Sequence, residues 1–189
     1  MSRVVFALGA NLGDRAAALQ SAVDALAECT EVLALSAIYE TAPVGGPDQP
    51  DYYNAVAIAE TELTASGVLA LAHALEAAAG RVRLERWGPR TLDVDVLAFD
   101  DVVSDDPVLT LPHPRAHERA FVLAPWLDAD PHAIVPGRGP VATLLDTVGS
   151  GGVRRLDQPS LRVRPAARPP SSEKLPSPEE LPPSDREVR

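Results

Sequence analysis

Asp93 and Asp95 are the residues best placed by type and spacing to do chemistry. They close the run Trp87-Gly88-Pro89-Arg90-Thr91-Leu92-Asp93-Val94-Asp95-Val96, which joins an indole ring, a rigid turn, a fixed cation and two carboxylates. From Leu92 onward apolar and acidic residues alternate with period two, so Leu92, Val94 and Val96 face a core while both aspartates project from the other side. Their Cβ atoms should lie about 6–7 Å apart, twice the strand rise, which lets the carboxylates converge on a pair of divalent cations. Hard oxygen donors without a Cys or His cluster favour Mg²⁺ over zinc, and Mg²⁺ commonly arrives with substrate phosphates. The alternative for an Asp-x-Asp pair is a solvated polar strand face, and the residues around it decide.

Arg81, Arg83, Arg86 and Arg90 concentrate cations just before the aspartates. Guanidinium forks match phosphate oxygens, and a loop can carry them over a polyphosphate. A second dense region runs Leu111-Pro112-His113-Pro114-Arg115-Ala116-His117-Glu118-Arg119-Ala120-Phe121, where two prolines restrain His113. His113 and Arg119 suit phosphate binding or leaving-group stabilisation, whereas His117 and Arg115 read equally well as a polar helix face. A third region, residues 39–54, combines a Pro/Gly-rich loop with aromatic rings and, at its exit, Asn54. An amide offers a donor and an acceptor to the edge of a flat heterocycle, and Tyr52, Trp87 or Phe121 could sandwich its ring. The stretch Gly9-Ala10-Asn11-Leu12-Gly13-Asp14 has neither the Gly-Lys-Ser/Thr ending of a phosphate loop nor dinucleotide-fold spacing.

The elements that must position these residues follow from periodicity and caps. A strand over residues 1–8 ends at Gly9, and Asp14 caps a helix with Leu19, Val23 and Leu26 on its buried stripe. Residues 31–40 are a β-rich run, 41–51 a loop and 52–60 a strand. Thr64 caps a second helix striped by Val68, Leu71 and Leu75, which Gly80 ends in the left-handed conformation. The Asp-x-Asp strand follows the loop at 81–91. The order β-α-β-β-α-β is the split βαβ pattern of an α+β, ferredoxin-like fold, with two helices on one face of an antiparallel sheet. Beyond Asp100 the pattern predicts a turn, a strand over 108–111 and a helix over 117–127, as C-terminal additions to that core. Another α+β sandwich would satisfy the same periodicity.

A chain of 189 residues with 46% hydrophobic content supports one sizeable core. Its net charge of −10 and pI near 4.8 argue against a nonspecific nucleic-acid surface, so an anionic ligand needs local cations. The single Cys29 allows no internal disulfide and fits a reducing cytoplasm. The first apolar run is too short for a signal peptide or membrane span, which predicts a soluble, cytoplasmic protein without membrane partners. Residues 158–189 carry eight prolines, six basic and five acidic side chains and no aromatic residue. Such a segment buries too little surface to order itself, so residues 1–157 are predicted to form the catalytic domain and 158–189 a disordered tail.

Taken together, Gly9-Ala10-Asn11-Leu12-Gly13-Asp14, the 41–54 loop, Arg86 to Asp95, and Leu111-Pro112-His113-Pro114 with Arg119 and Phe121 resemble the 6-hydroxymethyl-7,8-dihydropterin pyrophosphokinase family, over roughly residues 4–136. Ala10 stands where that family commonly has serine, and Ala42 and Val44 depart from its Pro/Leu pattern. The resemblance implies a ferredoxin-like fold and transfer of the β,γ-diphosphate of ATP to a pterin hydroxymethyl oxygen, releasing AMP, for folate biosynthesis. It implies two Mg²⁺ ions on Asp93 and Asp95, and catalytic roles for these with Arg81 and Arg90. ATP would meet Glu76, Arg81, Arg83, Arg90, Val96, Thr110, His113 and Arg119. The pterin would meet Thr41, Ala42 and Val44, largely through backbone, with Tyr52, Asn54, Trp87, Asp93 and Phe121. Trp87 would move with its loop, no general base is implied, and the chain would work as a monomer on two small molecules. From the residues alone, a magnesium–nucleotide binding module without chemistry and a two-metal phosphohydrolase remain open.

Overall fold

Continuous buried runs along the central strands build a sheet that is apolar on both faces. In the computed structural model, which describes residues 1–43, 48–80 and 90–164, the chain runs β1 (Ser2–Ala10), α1 (Arg15–Cys29), β2 (Glu31–Leu35), β3 (Tyr39–Thr41), β4 (Tyr52–Thr61), α2 (Ala65–Ala78) and β5 (Asp93–Phe99). It continues through α3 (Ala120–Ala129), β6 (Ile134–Val135), β7 (Gly139–Pro140), α4 (Val141–Val148) and β8 (Val153–Arg155). The main sheet has the order β5-β1-β4-β3-β8, and β2 pairs with the far half of β4. Every pairing is antiparallel. With β2 and β3 counted as one interrupted strand, this is the ferredoxin-like βαββαβ sheet.

Local signals set the helix ends. The Asp14 carboxylate accepts the Ala17 N–H at 3.0 Å, and the Thr64 hydroxyl accepts that of Gly67 at 3.2 Å, each satisfying an amide that the first helical turn leaves free. Gly80 follows α2 at φ 70°, the left-handed conformation that a Cβ disfavours. Leu19, Val23 and Leu26 of α1, with Val68 and Leu75 of α2, pack on Val4, Phe6 and Leu8. Leu71 is half-buried at the margin of that core. The opposite face, with Val5, Val56, Ile58 and Leu97, is covered by Val122, Leu123 and Trp126 of α3, and α4 adds Val141. The C-terminal additions thus form a third layer.

Three expectations change. The 31–40 run is broken at 36–38, where the Ser36 hydroxyl accepts the Val56 N–H at 2.9 Å and an Asp128 carboxylate oxygen accepts that of Ala37 at 2.7 Å, so side chains replace ladder partners. Residues 108–111 are not a strand. Only a Ser104–Leu111 bridge forms there, because the Asp106 side chain takes the Val108 N–H and the Thr110 hydroxyl donates to the Asp106 carbonyl, local bonds that compete with sheet pairing. The helix predicted over 117–127 begins at Ala120, after a single 3₁₀ turn at Ala116–Glu118 and an extended Arg119.

The attached chain also extends past the predicted boundary at 157. Leu156 is buried, and its N–H donates to the Ile38 carbonyl at 2.8 Å. Leu161 packs against the α1/α2 core. The Gln20 amide brackets Arg162, donating to its carbonyl at 2.7 Å and accepting its N–H at 3.1 Å, and Arg164 pairs with Asp24 at 3.1 Å. The prediction for 165–189 lies outside the described residues.

Candidate active site

Register brings the acidic pair to the end of β4 that carries Asn54. Asn54 of β4 lies opposite Gly9 of β1, and Gly9 lies opposite Asp93 of β5, so one row crosses three strands. The next row is Val56, Ala7 and Asp95. Directly opposed residues share a face, so Asn54, Asp93 and Asp95 rise on the side of the sheet that α3 covers only further along. Gly9 keeps the floor low between them: a Cβ there would stand 3.5 Å from Asn54 Oδ1 and 3.8 Å from the Asp93 Cβ, filling the gap without a clash.

The two carboxylates meet different surroundings. Arg90 pairs with Asp93 through a guanidinium N–H. Asp95 faces His113 Nε2 at 3.8 Å. Burial, and then the charge of Asp93, push the Asp95 pKa above the carboxylate range. Burial holds His113 below the ordinary imidazole range although Asp95 pulls the other way. The His113 backbone anchors it, its N–H donating to the Leu97 carbonyl at 2.8 Å, and its Nδ1 accepts the Arg115 N–H at 3.2 Å. A neutral ring in that arrangement carries its proton on Nε2, toward Asp95. Half-buried Arg119 sits over the Phe121 ring at 5.6 Å and adds a second cation on this side.

The loop side is equally specified. The Asn54 amide donates to the Thr41 hydroxyl at 2.8 Å in a buried bond, which orients its Oδ1 toward Gly9. Tyr52 lies opposite Thr41 and its hydroxyl donates to Gln49 Oε1 at 3.2 Å. Buried Asn11 ties this limb to the acidic strand, its amide donating to Gln49 Oε1 and the Pro50 carbonyl while its Oδ1 accepts the Arg90 N–H at 2.7 Å. In the sequence Asn11 stands out only as part of the Gly9–Asp14 motif. A polar residue ending an apolar strand was the available signal, but its partners are remote in sequence.

Not every predicted residue converges. Val96 points its side chain into the α1/α2 core, as period two requires of an even position on β5. Glu76 is buried on α2 beneath the same face, where a carboxylate oxygen accepts the Val94 N–H at 3.0 Å and secures the strand between the aspartates. The Thr110 hydroxyl is engaged within its own loop, and Ala42 is exposed after β3. Val44, Arg81, Arg83 and Trp87 lie outside the described residues, as do Arg86 and the predicted movement of that loop.

Among the described residues no group of three His, Cys, Asp or Glu side chains gathers to hold a metal. Asp93 and Asp95 of β5 are hard oxygen donors, a chemistry that suits Mg²⁺ when phosphates and water supply its remaining ligands.

Fold and site together define a ferredoxin-like α+β protein with an acidic pair, basic neighbours and a hydrogen-bonding amide at one end of one sheet face. The sequence model of the family 7,8-dihydro-6-hydroxymethylpterin-pyrophosphokinase (HPPK) matches residues 5–131, and the chain belongs to that family. A 2-amino-4-hydroxy-6-hydroxymethyldihydropteridine pyrophosphokinase of Methylorubrum extorquens is 42% identical over 159 residues, covering 83% of this chain and 100% of the relative. The Mycobacterium leprae protein of the same name is 48% identical over 151 residues, covering 73% of this chain and 78% of the relative. The crystal structure of wild-type Plasmodium falciparum HPPK-DHPS with pteroate shares the fold at a TM-score of 0.66 and 12% identity, covering 82% of this chain. This chain spans about half of that solved chain, 47%.

Proposed function

We propose that this protein transfers the β,γ-diphosphate of ATP to the hydroxymethyl oxygen of 6-hydroxymethyl-7,8-dihydropterin, releasing AMP, in folate biosynthesis. The observation that carries the reading is the Asn54–Gly9–Asp93 row, which sets an amide able to read a heterocycle edge beside a carboxylate able to hold a phosphate-bound cation. Thr41, Ala42, Val44 and Asn54 recognise the pterin edge, Tyr52 and Phe121 flank its ring, and Trp87 joins them. Arg81, Arg83, Arg90, His113 and Arg119 engage ATP. Asp93 and Asp95 hold two Mg²⁺ ions, which when bound neutralise the polyphosphate.

In the reaction the hydroxymethyl oxygen bonds to the β-phosphorus, the bond from that phosphorus to the α,β-bridging oxygen breaks, and AMP departs with the electron pair. The hydroxyl proton passes to solvent or phosphate, so no general base is assigned. The chain orients the two substrates in line, and its guanidinium and imidazole N–H groups stabilise charge on the transferring group. The same reading takes the protein as a cytoplasmic monomer acting on these two small molecules. No helix among the described residues is long and apolar enough to cross a membrane.

Incubation with MgATP and the pterin, followed by nucleotide chromatography, tests the proposal. AMP should form in step with diphosphorylated pterin. ADP would identify a monophosphoryl kinase or phosphohydrolase, and bound but unchanged ATP a binding module; either outcome overturns the reading.

A further inference from the structure

We infer that Asn11 is a positioning residue that links the limb carrying Gln49 and Tyr52 to Arg90 and Asp93, so that occupancy of the pterin side strengthens binding on the nucleotide side and the reverse. The inference rests on the functional reading above and adds to it the residue through which the two subsites communicate.

Asn11 is 1% exposed at the end of β1, and its carboxamide is used from both ends. Oδ1 accepts the Arg90 N–H at 2.7 Å, while the Asn11 N–H donates to the Arg90 carbonyl at 3.0 Å, so two bonds fix the orientation of Arg90. On the other side Nδ2 donates to Gln49 Oε1 at 2.9 Å and to the Pro50 carbonyl at 3.2 Å. Gln49 Oε1 also accepts from the Tyr52 hydroxyl, and the Arg90 side chain pairs with Asp93. A continuous path therefore runs from Tyr52 through Gln49, Asn11 and Arg90 to Asp93, and its middle member is one planar amide. No other side chain of that size offers an acceptor and two donors at once. Aspartate would keep the acceptor for Arg90 but turn a carboxylate oxygen against Gln49 Oε1 and the Pro50 carbonyl. Alanine would leave buried polar groups on both sides without their partner.

Arg15 supplies an internal control. It grips the same limb, donating to the Asp51 carbonyl at 2.7 Å, stacking over Tyr53 at 3.7 Å and pairing with Glu40 at 3.3 Å, yet none of these contacts reaches Arg90. Loosening the limb through Arg15 should weaken pterin binding without breaking the path.

The test is the dissociation constant of 6-hydroxymethyl-7,8-dihydropterin, by calorimetry on the full chain, with and without magnesium and α,β-methylene-ATP. The unmodified protein should show a coupling ratio in the usual range of about 5- to 150-fold. Asn11→Asp and Asn11→Ala should bring the ratio close to one, and so should Gln49→Ala, which alters a half-exposed residue and leaves the buried end of β1 intact. Arg15→Ala should keep the ratio of the unmodified chain while raising both constants. A ratio near one in the unmodified chain, or one unchanged in the Gln49 and folded Asn11 variants, would overturn the inference while AMP formation still upheld the function. Failure of the unmodified chain to form AMP would remove the functional reading and this inference with it.

Discussion

The two faces of β5 are neighbours in sequence and opposites in use. Toward α1 and α2, Leu92, Val94 and Val96 continue without interruption the core of Phe6, Leu8 and Leu75. Toward α3, each of three strands grades from aliphatic to small or polar within a few residues: Ile58, Val56, Asn54 on β4; Val5, Ala7, Gly9 on β1; Leu97, Asp95, Asp93 on β5. One face is spent wholly on packing, and the other is core under α3 and site beyond it. A single period-two alternation serves both ends, because successive side chains cannot share a face. Stability and chemistry should therefore separate at adjacent positions.

The largest effect tests the site face. Asp93→Ala or Asp95→Ala should lower turnover at least about a hundredfold, on the order of 3 kcal/mol of transition-state stabilisation, with circular dichroism unchanged. AMP formation measured across a Mg²⁺ titration checks this, and near-normal turnover at ordinary magnesium would make the pair a solvated strand face. The packing face should show the converse. Leu26→Ala, at a fully buried α1 position, should cost about 2–5 kcal/mol in urea unfolding, while the folded fraction keeps the pterin KM. A rise in KM matching the lost stability would mean the two faces are not separable.

A smaller effect concerns pH. The Asp95 pKa is raised in the fold, so the proton it holds favours the folded state, and that contribution is lost as pH climbs from the unfolded value of 3.8 through the raised one. Asp95→Asn should escape the loss. Its melting temperature without ligand should exceed that of the unmodified protein by a margin that grows over this window and then stays constant to neutrality, although turnover collapses. A margin independent of pH would show that Asp95 does not titrate differently on folding. The smallest effect falls on the attached end of the chain. Removing residues 165–189 should leave the melting temperature unchanged. Cutting after 157, which also removes Leu161 and the Gln20 bracket, should cost on the order of 1 kcal/mol and leave turnover intact, since those contacts belong to the packing face.

The sequence was most legible where the determinants are local. Asp14, Thr64 and Gly80 end their helices through groups within a few residues, and the Asp-x-Asp alternation acts at its own position. The break at 36–38 was not legible, because it depends on Asp128 of α3 accepting the Ala37 N–H. The apolar run at 108–111 misled for a related reason: the strand it resembles has no ladder partner, and Asp106 and Ser104 satisfy its backbone more cheaply. β8 is only Val153–Arg155 and becomes a strand by pairing with β3.

For the site, the sequence by itself determined which residue types were present, that the two aspartates share a face and that Val94 opposes them, since a strand's alternation is a property of its own backbone. It also carried the family resemblance. Only the tertiary structure decided that Asn54 and Asp93 are held across Gly9, that α3 stops short of them and that Asn11 stands between two loops. Those facts rest on strand register and on which layer covers which end of a face. Both are set by pairing and burial between segments far apart in the chain, where the free energy belongs to the contact and to neither segment alone.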